Sequence, residues 1–317
     1  MGTSSVAPHR ALQSVVLATD LSATSLVAQG WAVELAASHH VRLDLVHAIH
    51  LAGWATDYLE IDASIPAGIE DTCRKSLETL AQGIQRDDLI VGWDLLTGQP
   101  SDAVVEFAAR DRASLIVVGT RGQKSLDSLL LGSTARRVVQ RATCPVLSVH
   151  PGDNEPRRPI RRILVATDFS LEAETALQFA ARLLGSEAAE IVLLHSYLVP
   201  YDLLPADGFV SAATGLEQWK TAQIDVEHRL AASALAFSDA AATISTRGIE
   251  GYPPDIIVEQ ARDLDVDLIA MGTHGRTGLS HAILGSIAEK VIQRAPCPVL
   301  TVRCDDTNEP GGGPHAS

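Results

Sequence analysis

The stretch VVLATDLS at Val15–Ser22 returns as ILVATDFS at Ile163–Ser170, so Asp20 corresponds to Asp168, 148 residues further on. His47 in LDLVHA and His195 in IVLLHS keep that spacing. Gly98, Gly119 and Gly132 return as Gly251, Gly272 and Gly285, each 153 residues on, so the two copies differ in length by five residues between His195 and Gly251. A repeat this long duplicates a whole domain, since stacked solenoid units run only about 20–50 residues. The chain therefore divides into a first domain, 1–150, and a second, 160–303. The segment HPGDNEPRRP between them has the Pro, Gly and charge content of a linker. The tail 304–317, ending EPGGGPHAS, reads as disordered.

Each copy alternates short apolar runs with amphipathic stretches. In the first, SVVLAT suits a parallel strand covered on both faces. Ser22 is placed to cap a helix over about Ala23–Ser38. A strand (VRLDLVH), a long loop, a helix to about Gln85 and a strand in LIVGWDLLTG follow. Pro100 is placed to open the next helix. SLIVVG, STARRVVQR and CPVLSV are the fourth strand, fourth helix and fifth strand. The second copy repeats the order, ending in SIAEKVIQR and CPVLTV. Strands separated by helices specify an α/β fold: two tandem open parallel five-stranded sheets flanked by helices, Rossmann-like. The fifth strands are strongly apolar edges, and pairing them as a pseudo-twofold hides both.

Composition narrows the function classes. The net charge is −14 over 317 residues, which argues against a nucleic-acid binder, because such affinity rests on Lys and Arg neutralising phosphates. Aromatic residues make up only 4%, so the cores are aliphatic. No apolar run has transmembrane length, and the N-terminus lacks an apolar leader core, so neither membrane nor secretion is expected. Four cysteines without a CxxC pair fit a reduced, cytoplasmic protein.

In an open parallel sheet, ligands sit at the carboxyl ends of the strands where strand order reverses. Gly119 and Gly122 follow the fourth strand in GTRG, as Gly272 and Gly275 do in GTHG; Gly132-Ser133-Thr134 and Gly285-Ser286 then open a helix. A helix start offers unpaired N–H groups to phosphate, and glycine permits close approach and positive φ. The Ser133 and Ser286 hydroxyls add donors. Asp20 and Asp168, ending the first strands, can accept hydrogen bonds from ribose hydroxyls or an adenine amine. G-x2-G-x9-G-S thus occurs twice, each time in register with an aspartate.

With these motifs the chain resembles the universal stress protein family in its tandem two-domain form, over about Gln13 to Arg303. The resemblance implies ATP in each half, with or without magnesium. It implies nucleoside contacts from Asp20 and Asp168, and backbone contacts with adenine from Ala48 and Ser196. Phosphates would be held by Gly119, Gly122, Gly132, Ser133 and Thr134 in the first half. In the second, Gly272, Gly275, Gly285 and Ser286 would hold them, with Ile287 supplying only its backbone. The flanking Ala18, Thr19, Val118, Thr120 and Arg121, and Ala166, Thr167, Met271, Thr273 and His274, complete the set. Departures from the family pattern distinguish the halves. Ser125 stands where Gly278 does, Asp127 adds a carboxylate to the first loop, and Ile287 replaces the hydroxyl of Thr134. Loop charge, with His274 and Arg276 in the second copy, leads to an expectation of tighter magnesium-free ATP binding there.

Other chemistries lack their residues. No lysine completes a P-loop after these glycines, and no G-x-S-x-G or HExxH is present. His39, His40, His47 and His50 cluster, but only His47 repeats, so a strand-end histidine hydrogen-bonded to a neighbouring loop is expected rather than a metal ligand. Cys144 and Cys297 read as small buried hydrophobes. Trp54, Tyr58, Tyr197, Tyr201 and Phe209 stand in loops that either cover the ligand or pack on the sheet edge. No residue presents itself as a catalytic base for a γ-phosphate. The expected function is a stress-response regulator or sensor whose interactions with a protein partner depend on bound adenine nucleotide. A slow magnesium-dependent ATPase or phosphotransferase, and a dimerisation scaffold with incidental nucleotide, are the alternatives. Further association of two chains is left open.

Overall fold

The computed structural model describes residues 12–50, 64–84, 86–121, 131–156, 159–184, 189–198, 212–237, 242–273 and 284–304, with backbone alone at 64–67 and 212–219. The first half runs β1 (Ser14–Ala18), α1 (Leu26–Ser38), β2 (Arg42–Ile49), α2 (Ser64–Gly83), β3 (Val91–Thr97), α3 (Pro100–Arg110), β4 (Leu115–Gly119), α4 (Ser133–Arg141) and β5 (Val146–Val149). The second runs β6 (Arg162–Ala166), α5 (Leu171–Leu183), β7 (Glu190–Tyr197), α6 (Ala212–Leu235), β8 (Thr243–Glu250), α7 (Pro253–Asp263), β9 (Leu268–Gly272), α8 (Ser286–Arg294) and β10 (Val299–Val302).

The central strands are apolar on both sides because helices cover both faces. Val15, Val16 and Leu17 are all fully buried, Val15 and Leu17 on one face and Val16 on the other. Pro100 and Pro253 open α3 and α7, where a missing N–H costs nothing. The start of the first helix differs from expectation. A 3-10 turn, Ala23–Ser25, precedes α1, and the Ser22 hydroxyl donates to Asp20 Oδ1 at 2.5 Å instead of capping. Its counterpart Ser170 does cap, accepting the Ala173 N–H at 3.3 Å.

The two sheets are joined as one, in the order β3-β2-β1-β4-β5-β10-β9-β6-β7-β8. All the strand pairs are parallel except β5–β10, which is antiparallel. There Leu147 faces its own repeat, Leu300, with Val146 opposite Thr301 and Ser148 opposite Val299. Equivalent residues face each other, so a local twofold passes between the leucines. Each fifth strand thereby covers the other's apolar edge. Both core clusters run through the junction, Leu147 and Leu300 in one, Val146 and Val299 in the other.

The junction is also pinned at both strand ends. His150 Nε2 lies 2.5 Å from the Ile292 carbonyl oxygen on α8, and Arg303 Nη1 donates to the Gln140 carbonyl on α4 at 2.7 Å. The segment expected to be a plain linker therefore begins as a packed turn. His150 N–H donates to Asp153 Oδ2 at 2.6 Å, and the Trp31 indole donates to the Asn154 carbonyl at 3.0 Å.

Candidate functional site

Strand order reverses between β1 and β4, and again between β6 and β9, so each half opens a crevice at the carboxyl ends of those strands. The turn after β1 supplies the carboxylate. Thr19 N–H bonds the Val46 carbonyl, Thr19 Oγ1 accepts the Leu21 N–H at 3.0 Å, and Asp20 Oδ1 accepts the Ser22 N–H at 3.1 Å. After β6 the same bonds recur: Thr167 N–H to Leu194, Phe169 N–H to Thr167 Oγ1 at 2.9 Å, and Ser170 N–H to Asp168 Oδ1 at 3.0 Å. Between threonine and serine the backbone turns left-handed, at φ 60° in Leu21 and 63° in Phe169. A non-glycine residue there costs about 1–3 kcal/mol and persists only where surrounding bonds hold it. The Thr-Asp pair supplies those bonds, and the turn fixes where the carboxylate stands. Sequence reasoning missed this strain. Its only trace is the repeated T-D-x-S.

His47 and His195 buttress the same turn, as expected of them. His47 Nδ1 lies 2.8 Å from the Thr19 carbonyl oxygen and His195 Nδ1 lies 2.6 Å from that of Thr167. A carbonyl only accepts, so Nδ1 carries the proton in both rings.

The opposite wall is built from the end of β4 and the start of α4. Thr120 N–H bonds Val149 O, and Gly132 N–H returns to Thr120 O at 2.8 Å, so one hydrogen bond pins both ends of the loop between them. The second half repeats the closure, Gly285 N–H to Thr273 O at 2.9 Å. Gly132 and Gly285 cap α4 and α8 with no side-chain oxygen on the first-turn N–H groups. Their φ is −57°, open to any residue, so positive φ is not why they are glycines. For Gly132 the reason is space: a Cβ would stand 3.0 Å from the Thr120 carbonyl oxygen. Positive φ occurs instead at Gly98 (124°) and Gly251 (148°), in the turns leading into α3 and α7.

The first-half residues singled out from the sequence line one cavity of about 630 Å³: Ala18, Thr19, Asp20, Ala48, Val118, Gly119, Thr120, Arg121, Gly132, Ser133 and Thr134. In the second half, Ala166, Thr167, Asp168, Ser196, Met271, Gly272, Thr273, Gly285, Ser286 and Ile287 line a cavity of about 280 Å³. Gly122, His274 and Gly275 lie outside the described residues. So do Ser125, Asp127, Arg276 and Gly278, on which the expected affinity difference rests, and the loop aromatics Trp54, Tyr58, Tyr201 and Phe209. Sequence reading missed the third wall, Pro100 and Val104 of α3 and their repeats Pro253 and Ile257 of α7. Prolines at matching positions after matching glycines were the available signal.

The linings differ in one direction. Ser25, Val46, Val104, Val118 and Thr134 of the first cavity are replaced by Ala173, Leu194, Ile257, Met271 and Ile287 in the second. Each exchange adds bulk or removes a hydroxyl. Ser196 replaces Ala48, but its hydroxyl is spent on the Gly251 carbonyl at 2.7 Å.

Electrostatics are more distinctive beside the first cavity than inside it. Thr120 Oγ1 is 2.8 Å from His150 Nδ1; Nε2 holds the ring proton against Ile292 O, so the neutral imidazole accepts from threonine. Burial lowers the His150 pKa, and the Arg121 charge lowers it further, against the pull of the Ile292 carbonyl. Burial pushes the Asp153 carboxyl up to about 7, against the His150 N–H and Arg121. Burial also lifts the Cys144 thiol to about 12 and Cys297 higher still, which keeps both protonated and inert. Among the described residues, no helix is long and apolar enough to cross a membrane.

The Universal stress protein family profile matches residues 12–150 and 159–303. A universal stress protein of Mycolicibacterium smegmatis is 28% identical over 296 residues, 91% of this chain and 96% of that protein. Universal stress protein Rv2623 of Mycobacterium tuberculosis is 26% identical over 300 residues, covering 91% and 96%. The crystal structure of a universal stress protein from Archaeoglobus fulgidus superposes with a TM-score of 0.68 at 21% identity, covering 92% of this chain and 97% of that one, a likeness of fold.

Proposed function

The chain belongs to the universal stress protein family, and on that premise we propose that it is an ATP-binding regulator with an adenine-nucleotide cleft in each half. One observation carries the reading. In both halves the strained-turn aspartate, the glycine after the fourth strand and an N-terminus without a side-chain cap line a single cavity. An anion is favoured at such a helix start, where N–H groups and the helix dipole point the same way. The aspartate stands on the opposite wall, at a strand end, where it serves ribose or base rather than phosphate.

The protein binds more than it turns over. Asp20 and Asp168 are the only carboxylates among the described lining residues. Each engages Oδ1 in its own turn, so neither is set up as a base toward a terminal phosphate. Nucleotide in the crevice ties the β1 turn to the start of α4 and favours the conformation in which both are held. A protein partner that reads this conformation completes the regulator. The four cysteines are all free, which fits a reducing cytoplasm.

The test is mass spectrometry of nucleotide released from gently purified protein, followed by calorimetric titration with ATP and ADP. ATP bound at up to two sites per chain and released intact after single-turnover incubation supports the proposal. No adenine nucleotide bound in either experiment removes it, and rapid hydrolysis replaces it with an enzyme.

A further inference from the structure

We propose that the fifth-strand surface of each half accepts an unlike half and rejects a like one, through opposite charges set across the local twofold. The proposal concerns which surfaces pair and does not depend on what the clefts bind. Apolar edge strands alone do not make that choice. A β5 edge facing a second β5 would set Leu147 opposite Leu147 and hide the edge as well as β10 does, since Leu300 is its repeat. The tethers do not choose either. His150 and Arg303 bond the main-chain carbonyls of Ile292 and Gln140. The repeats of those two residues, Val139 and Gln293, would offer the same carbonyls in a like pair.

Arg136 of α4 and Glu289 of α8 do choose. They are each other's repeat, 153 residues apart, and they meet across the junction with Arg136 Nε 3.5 Å from Glu289 Oε1. Equivalent residues that meet stand on either side of the twofold, so a like pair would bring Arg136 against Arg136, or Glu289 against Glu289. The rest of α4 adds to the first case: STARRVVQR carries Arg136, Arg137 and Arg141 and no acid. Both partners keep some exposure, so each attraction or repulsion is small and screened by salt. The effects accumulate. Turning two unlike pairs into two like pairs replaces two attractions by two repulsions, which disfavours like pairs by about tenfold or more. Two chains that associate through their fifth strands therefore do so by exchange, the first half of one against the second half of the other.

Two measurements test this on the unaltered chain, Arg136→Glu, Glu289→Arg and the double exchange. In thermal melts of the intact chain, each single reversal sets like charges across the twofold and should lower the melting temperature by about 1–3 °C. The double exchange should restore it, and about 1 M salt should remove the differences. Losses that add in the double exchange overturn the proposal. In the second measurement, a protease site inserted between Arg157 and Arg158 splits the chain, and the halves are unfolded and refolded together. Native mass spectrometry then counts like and unlike pairs. Unaltered and doubly exchanged halves should give unlike pairs well above the statistical mixture, and each single reversal should approach that mixture, because all its pairings set like charges together. A statistical mixture from unaltered halves overturns the selection. Where the split halves do not refold, the melts alone decide.

Discussion

The turn after β1 and the turn after β6 share the same threonine and aspartate bonds to backbone N–H groups, while the cavities they border differ in lining and in size. The backbone machinery is the duplicated part: strained turn, pinned glycine loop, helix start without a side-chain cap. Side chains lining the cavities have diverged, each described exchange except Ala48 to Ser196 making the second half bulkier or less polar. Each site thus combines a duplicated frame with an adjustable side-chain wall. Where the frame is bonded through main chain, as in Gly132 N–H to Thr120 O and Gly285 N–H to Thr273 O, it tolerates side-chain exchange, because its donors and acceptors do not change with the residue; the turns instead require their threonine and aspartate side chains.

The largest effects are expected at the glycines. Gly132→Val drives a branched side chain into the Thr120 carbonyl, already 3.0 Å from a bare Cβ, and should abolish nucleotide binding in the first half alone. Gly285, with the same backbone angles, should act only on the second. Calorimetric stoichiometry reads this directly. Unchanged stoichiometry in both variants shows that the glycines do not frame the sites.

The next effect is at the carboxylates. Asp20→Ala and Asp168→Ala should each weaken nucleotide binding in their own half by about 1–3 kcal/mol. Within each half, ADP and ATP should lose equally, since both share the nucleoside. A loss confined to ATP moves the aspartate to the terminal phosphate.

The junction offers an inequality of another kind, because His150 titrates and its counterpart Arg303 does not. Asp153, held up at about 7 by burial, contributes stability that is full below the unfolded carboxyl value near 3.9 and is lost as pH rises through about 7. His150, lowered by burial, runs oppositely: its contribution is present above about 6.5 and is lost as pH falls through its depressed folded value. Asp153→Asn should therefore remove a decline in stability between about pH 4 and 7. Thermal melts across that range check it; an unaltered slope means the carboxylate is solvated.

Two smaller effects separate the halves. The Phe169 ring is 4.5 Å from the His195 ring and carries the Arg229 guanidinium 4.0 Å above it, contacts that Leu21 cannot make. Glycine relieves the left-handed strain at either position. Phe169→Gly should nonetheless be more destabilising than Leu21→Gly by about 1–2 kcal/mol, for the lost ring and cation contacts. Equal melts for the two variants remove those contacts from the account. Across the β5–β10 pair, Thr301 Oγ1 donates to Val146 O at 3.2 Å, whereas the buried Ser148 hydroxyl has no partner among the described residues. Thr301→Val should cost about 1 kcal/mol in denaturant unfolding and Ser148→Ala close to nothing. A larger loss at Ser148 reveals a partner for that hydroxyl.

Much of this architecture was legible in the sequence, because each of its signals is local or repeated. Apolar runs named the strands, Pro100 and Pro253 marked helix starts, and the doubled glycine pattern and T-D-x-S picked out residues that do share a cavity. The apolar CPVLSV and CPVLTV even pointed to the junction. Other features came only with the folded chain. That the fifth strands pair was expected, but that they pair antiparallel with Leu147 opposite Leu300 follows from a strand register no single segment encodes. The left-handed turns at Leu21 and Phe169 arise from competition between local strain and bonds to Thr19, Asp20, Thr167 and Asp168. The expected linker became a packed turn because His150 and Asp153 find partners in α8 and in the turn itself, residues distant in sequence for His150 and adjacent for Asp153. Which side chains line each cavity depends on what converges there from separate elements. Periodicity and spacing are properties of neighbours along the chain. Burial, register and cavity size are properties of neighbours in space, and only packing decides those.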